Sequence, residues 1–438
     1  MKSRLVPIYF MPGKDEEFDQ QLERLKKQLA EEADIMAPVA LGSDIPDADA
    51  VIFPQLLGEA FKRIEDIKKI DMPIVVVTSE FGTVNMWDWE IVNFLKATGL
   101  KTFAPYDLGL TKTICRMLGV KRELHETKFL VYQDNPGEGF QASIFKRFYW
   151  WEDECSAALK DKFGLTIEKR SFKQFGEAAK QIADHEVEEV WKDWDLNLAA
   201  VSPHQLNSAL KIYIAVRREI EKDPSIRGVG INCLNESHFS DTTPCLAWNM
   251  LFEEKGIIWG CEADTMSMAT KYIINRSLGA PIMMSNIYPF LVGMAALKHE
   301  RIEKFPDVPE PDNHLLVAHC GYLGVLPKSF SSEWQLRPKA LSIVDENATA
   351  IDARLPTGDL TLAKLDHTFT KLMLAKGQLE SYVQYPDSDC RNGAVIKIKD
   401  GHKMMNSFYS HHNCLVTGYW DKEMVNLAKV FDLEIEEF

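Results

Sequence analysis

Four short stretches of this chain hold the residue types that do metal and proton chemistry. The first is Trp259-Gly260-Cys261-Glu262-Ala263-Asp264-Thr265, where two carboxylates close an apolar run just ahead of a helical segment. Asp264 has the position of a helix N-cap, and a cap accounts for one acid only. Glu262 is the surplus, and paired carboxylates at a strand end begin an oxygen-rich divalent metal site. The second stretch is Val317-Ala318-His319-Cys320-Gly321-Tyr322, a strand running into a turn, where His319 either ligates a metal or packs beneath the site. The third, Phe408-Tyr409-Ser410-His411-His412-Asn413-Cys414, reads as extended. Side chains alternate along a strand, so at most one of His411 and His412 is expected to face a given cavity. The fourth, Asp241-Thr242-Thr243-Pro244-Cys245-Leu246, is a loop entering a helix, with Pro244 in its first turn. Taken alone, a helix start explains it.

The elements that must carry these residues change character along the chain. In the N-terminal part, strand-like runs at 5–10, 50–54 and 73–78 alternate with helical segments. One of these, 15–30, repeats Phe18, Leu22, Leu25 and Leu29 at helical spacing. Such alternation predicts an open α/β sheet whose ligand contacts lie beyond the strand C-termini, here Pro54-Gln55 and Ser79-Glu80-Phe81-Gly82. A second α/β unit opens with Phe129-Leu130-Val131-Tyr132 and continues into a helix rich in aromatics (Phe145, Phe148, Tyr149, Trp150, Trp151). Trp150 and Trp151 read as packing residues and not as a stacking platform. Further strands are expected at 165–169, 228–233, 257–261 and 280–285, and helices at 209–221 and 266–278. The pair Gly228 and Gly230 lies inside a strand and lacks a third glycine, so no dinucleotide fingerprint is present and no nucleotide cofactor is expected. A charged, Pro-rich connector covers 303–312, and beyond it come short alternating stretches at 348–355, 358–366, 368–375 and 393–399. These predict a small antiparallel β-barrel or sandwich, with a helix over 424–430 closing the chain. The expected organisation is an α/β protein of two open, Rossmann-like domains, 1–125 and 126–300, followed by a small antiparallel β-barrel domain over 301–438.

Bulk properties narrow the partners. A chain of 438 residues exceeds what one hydrophobic core organises, and its 46% apolar and 26% charged residues are ordinary for a folded protein. A net charge of −15 opposes nucleic-acid binding, which needs clustered Lys and Arg, and suits a neutral small molecule better. No stretch of about 18 apolar residues suggests a membrane span, and the N-terminus lacks the apolar run of a secretory signal. A cytoplasmic location is expected. The eight cysteines form no C-x-x-C pair, which fits reduced thiols and neither a zinc ribbon nor a disulfide framework.

The order Thr243-Pro244-Cys245-Leu246, Cys261-Glu262-Ala263-Asp264, His319-Cys320-Gly321 and His411-His412 resembles the L-fucose isomerase-like group of sugar isomerases, relatives of the L-arabinose isomerases. So does Gly358-Asp359-Leu360-Thr361-Leu362-Ala363-Lys364-Leu365, which is similar to that group's barrel strand pair. The likeness lies in the C-terminal half, while the N-terminal part matches in general α/β style only. It implies two α/β domains and a β-barrel, an active site between them, and a homo-oligomer, trimer or hexamer. It also implies a Mn2+ ion, held by two carboxylates and a late histidine, that binds adjacent hydroxyl and carbonyl oxygens of an open-chain sugar. Asp264 falls on one of those carboxylates, and His412 (or His411) on the histidine. The chain departs from the group at its Asp-x-x-Glu element, which here reads Asp241-Thr242-Thr243-Pro244. Proline can neither ligate a metal nor accept a proton, which leaves Glu262, Glu236 or Asp241 to supply the second acid.

The resemblance therefore implies an aldose–ketose isomerase working through a cis-enediol. Glu262 and Asp264 are its expected catalytic carboxylates, and Asp264, His412 and Glu262 its expected metal ligands. His319, Tyr322, Glu80, Asp241 and His411 are expected to line the sugar pocket. Two alternatives remain open: a sugar-binding relative with altered catalysis, and a metal-dependent epimerase or enolate enzyme acting on a sugar acid. Zinc replaces manganese if Cys261 and Cys320 both face the ion.

Overall fold

The computed structural model describes residues 1–10, 14–58, 60–134, 147–233, 239–289, 307–318, 325–339, 346–384 and 392–438. His319, Cys320, Tyr322 and Glu236, all singled out above, lie outside the described residues. The chain packs into two units. The first is Met1–His125 with Arg276–Gly279 and Trp420–Glu434; the second is Glu126–Asn275, Ala280–Tyr419 and Ile435–Phe438. The second and third of the regions expected from sequence thus share one unit.

The first unit is built on a parallel sheet of β1 (Ser3–Tyr9), β2 (Ala33–Ile35), β3 (Val39–Ala40), β4 (Ala50–Phe53), β5 (Ile74–Val76) and β6 (Thr102–Phe103). The strand order is β2-β1-β4-β5-β6, with β3 also paired to β1. Strands this apolar (all four residues of β4 are buried) need cover on both faces, and helices supply it. The helix Glu16–Gln28 starts where Asp15 accepts a hydrogen bond from the Phe18 N–H, and it buries Phe18, Leu22 and Leu25. The helix Asp421–Phe431 belongs here too: it packs on the helix Leu108–Leu124 and buries Met424, Leu427 and Phe431. It was expected to close the barrel domain, and it is not the end of the chain, since a strand follows it. Its amphipathic pattern announces an apolar face but not which surface covers that face.

The second unit begins with a parallel sheet of β7 (Lys128–Tyr132), β8 (Thr166–Arg170), β9 (Ile226–Ile231) and β10 (Ile258–Gly260), in the order β10-β9-β7-β8. The glycines of β9 and β10 serve packing. A Cβ on Gly260 would collide with Met268 Sδ, and one on Gly230 would meet the same atom at 3.0 Å. Bare backbone at both positions lets the helix Thr265–Leu278 lie close to the sheet. Of the expected aromatic helix, Phe145 lies outside the described residues, and Tyr149–Trp151 forms a 3-10 turn ahead of the helix Asp153–Phe163.

The rest of the unit is a closed, six-stranded antiparallel β-barrel. It comprises β11 (Ile282–Pro289) and β12 (His314–Ala318), and, after a separate hairpin of β13 (Glu333–Pro338) and β14 (Thr349–Arg354), also β15 (Gly358–Leu365), β16 (Lys371–Gln384), β17 (Asn392–Ile398) and β18 (His412–Thr417). The order β15-β18-β11-β12-β17-β16 closes through β15 pairing with β16, and β19 (Glu434–Glu437) lies along β16. Closure removes the exposed edges an open antiparallel sheet would carry. The barrel therefore begins at β11, which sequence assigned to the preceding parallel sheet. Its hydrogen bonds run antiparallel to β12 and β18 instead. An apolar run says that a strand is buried, whereas its partner is chosen by long-range packing.

Candidate functional site

Within the second unit, the end of β10 meets the start of β18. After Gly260 the chain makes a 3-10 turn, Cys261–Ala263, in which Glu262 (φ 52°) and Ala263 (φ 53°) are both left-handed. Two consecutive non-glycine residues there are costly and persist only when neighbours hold them. Two indoles do so: Trp151 Nε1 donates to the Glu262 carbonyl at 2.6 Å and Trp150 Nε1 to the same oxygen at 3.2 Å. Both tryptophans are buried, so they are packing residues as expected, and they also hold the turn that presents the Glu262 side chain. Phe148 stacks on Trp150 with centroids 4.4 Å apart, and the Trp150 ring lies 5.7 Å from His411 and 5.6 Å from His412.

Asp264 follows the turn as N-cap of the helix Thr265–Leu278, its Oδ1 accepting from the Ser267 N–H at 2.8 Å. The cap is real, but only part of its role. Oδ2 accepts from Ser267 Oγ at 2.7 Å, from Lys364 Nζ at 3.1 Å and from His412 Nδ1 at 2.9 Å. Asp264, Lys364 and His412 are all fully buried. Burial pushes the Asp264 carboxyl up, but the Lys364 charge and the His412 and Ser267 hydrogen bonds outweigh it and hold the group well below the usual carboxylate range. Burial pushes the His412 imidazole below its ordinary value, and His411 pushes it the same way, against the opposite pull of Glu262 and Asp264. A neutral ring facing an ionised carboxylate carries its proton on Nδ1, which leaves Nε2 as the ring's lone-pair nitrogen. That nitrogen lies 3.9 Å from Glu262 Oε1, and His411 Nε2 lies 3.7 Å from Glu262 Oε2.

Glu262, His411 and His412 thus form a group whose donor atoms all lie within 4.8 Å of one another, and it could hold a metal ion. The donor chemistry fits: two imidazoles and a carboxylate suit a first-row divalent ion, and a carboxylate bonded to the far nitrogen of a ligating histidine is the common way to fix its tautomer. Two expectations change. Asp264, expected as a ligand, spends both oxygens on Ser267, Lys364 and His412, and so orients the histidine. Both histidines face Glu262, their rings 4.2 Å apart, where alternation allowed only one. The strand begins at His412, and His411 sits in the bend before it, where the alternation rule does not apply.

The remaining expected residues go elsewhere. Asp241 pairs with Lys180 at 3.1 Å and lines a separate polar cleft with Asp184, His204 and Lys211. Glu80 is in the first unit, where it lines a cavity of ≈ 640 Å3 with Phe10, Gln21, Gln55, Thr78 and Ser79. That cavity opens beyond the C-terminal ends of β1, β4 and β5, as expected of an open parallel sheet. Lys364 was missed, although its signal was present as a charged residue inside the apolar run Leu360-Thr361-Leu362-Ala363-Lys364-Leu365, and buried lysines need a partner. No helix among the described residues is long and apolar enough to cross a membrane. No family model matches this chain, and no curated protein matches it.

Proposed function

We propose that the protein is a metal-dependent aldose–ketose isomerase that acts on a small monosaccharide through a cis-enediol. The observation behind this reading is the convergence of Glu262, His411 and His412 beside a buried carboxylate that orients one imidazole. These three residues would hold the ion, with Mn2+ favoured by a nitrogen and oxygen donor set without thiolate. When bound, the ion supplies Lewis-acid stabilisation of the negative charge that grows on adjacent sugar oxygens as a C–H bond breaks. The protein must also carry a proton between C1 and C2 along one face of the sugar. Glu262 has two oxygens for two parts: one would ligate the ion, and the other would receive and return the proton, so that this residue stands in for the acid replaced by Pro244. Asp264 is unsuited to it, because an anion stabilised by Lys364, His412 and Ser267 is a weak base. Its work is to keep Nε2 of His412 turned to the site. Trp150 and Phe148 wall the histidines on one side. The same reading makes the protein a cytoplasmic homo-oligomer, trimer or hexamer.

The test is solvent exchange. With Mn2+ in deuterated water and a panel of pentoses, hexoses and deoxy sugars, one aldose should yield a ketose carrying deuterium at C1 and, on reversal, aldose carrying deuterium at C2, read by NMR. A protein with stoichiometric bound metal that labels no sugar overturns isomerisation. A specific observation favours the second reading, a sugar-binding relative: Asp241, the acid at the start of the Asp-x-x-Pro element, is turned to a separate cleft where it pairs with Lys180. Sugar binding without exchange would establish that reading instead.

A further inference from the structure

Cys233 lies two residues beyond the end of β9 and Cys261 one residue beyond the end of the neighbouring strand β10. Their sulfurs are 3.3 Å apart, and the two side chains are 8% and 6% exposed. Cys233 also takes a hydrogen bond from the Glu262 backbone. Buried cysteines are commonly inert core residues, and Cys115, Cys155 and Cys414 have that character, each fully buried. Cys233 and Cys261 differ in having each other. A disulfide requires sulfurs about 2.05 Å apart, so closing the bond takes an approach of roughly 1.3 Å.

We propose that Cys233 and Cys261 are a reversible oxidation site, a dithiol that closes to a disulfide under a peroxide-class oxidant and displaces the Glu262 turn when it does. In the first step one thiolate attacks a peroxide oxygen, the O–O bond breaks, and hydroxide leaves, giving a sulfenic acid. The second thiolate attacks that sulfur, the S–O bond breaks, and the oxygen leaves as water once protonated. Two thiols lose two electrons and two protons, and one hydrogen peroxide becomes two waters. Because Cys261 immediately precedes Glu262, the new bond pulls on a turn already held in a left-handed conformation by Trp150 and Trp151. The link to the metal cluster rests on the functional reading above; the disulfide does not.

The experiment exposes the full-length protein to hydrogen peroxide, blocks remaining thiols by alkylation and maps the peptides by mass. The expected result is one crosslink between the peptides carrying Cys233 and Cys261, reversed by dithiothreitol and absent in Cys233→Ser. Tryptophan fluorescence of the wild type should shift on oxidation and return on reduction, with no shift in the serine variant. Alkylated Cys233 and Cys261 after treatment, or a sulfinic acid with no crosslink, would overturn the site. A crosslink without a fluorescence change would overturn the coupling to the turn. Mn2+ binding, followed by electron paramagnetic resonance, should fall at least tenfold on oxidation. Reduced protein that binds no Mn2+ would count against the metal cluster alone, with the crosslink result intact.

Discussion

Replacing Asp264 with asparagine changes one atom's identity and removes one charge. In the wild type, Lys364 Nζ lies 3.1 Å from Asp264 Oδ2, and both side chains are fully buried. Asp264→Asn therefore strands an ammonium group away from water. Breaking a buried pair in this way costs about 3–5 kcal/mol, whereas exchanging both partners for well-packed neutral groups is often nearly neutral. Urea unfolding followed by circular dichroism should show Asp264→Asn destabilised by about that amount, and the double variant Asp264→Asn with Lys364→Met should recover at least half of it. The pH dependence has a definite sign. The folded carboxyl titrates below its unfolded value, so its contribution is complete above about pH 4, the ordinary carboxylate range, and is lost as the pH falls further. The variant should lose that acid sensitivity. A second readout concerns His412: an asparagine amide can donate to Nδ1, which moves the ring proton to Nε2, and Mn2+ affinity should fall about 10–100-fold. Wild-type stability in the single variant, or no recovery in the double, would refute the view that Asp264 is the counterion of Lys364.

The same geometry sets three other expected outcomes. Trp151→Phe removes the shorter of the two indole bonds to the Glu262 carbonyl, and urea unfolding should show a loss of about 1–3 kcal/mol together with weaker Mn2+ binding. Glu262→Gln and His411→Ala should each lower Mn2+ binding by at least tenfold in isothermal titration while leaving circular dichroism unchanged; retained affinity in both would exclude this cluster as the ligand set. Lys271 is fully buried, donates to the Trp259 carbonyl and lies 3.8 Å from the Trp259 ring centroid, and burial pushes its pKa down to about 7. The unfolded chain then binds the extra proton between pH 7 and about 10, so wild-type stability should rise through that range by up to about 1.4 kcal/mol per pH unit. Lys271→Met should remove the rise, and equal slopes in the two proteins would exclude a depressed Lys271.

Local pattern carried a good deal of this molecule. Phe18, Leu22 and Leu25 at helical spacing, Ile74-Val75-Val76 as a buried strand, and the alternating stretches after the connector all correspond to elements of the structure. Each depends on side-chain period, which neighbours in sequence suffice to set. Glu262, Asp264, His411 and His412 were nominated for the same reason: acids at a strand end and paired imidazoles are rare enough to notice. The partner of β11 and the surface under the helix Asp421–Phe431 were not legible, because burial pattern records that a face is covered and not by what.

The division of labour inside the site was settled in three dimensions. Asp264 and Glu262 are equivalent acids on paper, and the fold separates them by placing Lys364, 100 residues away, against one alone. The two histidines read as opposite-facing until the bend before β18 turned His411 onto the same carboxylate. Composition and spacing specify which groups a chain can offer; solvation and charge at each group depend on atoms brought from distant strands, and these choose ligand, orienter and counterion.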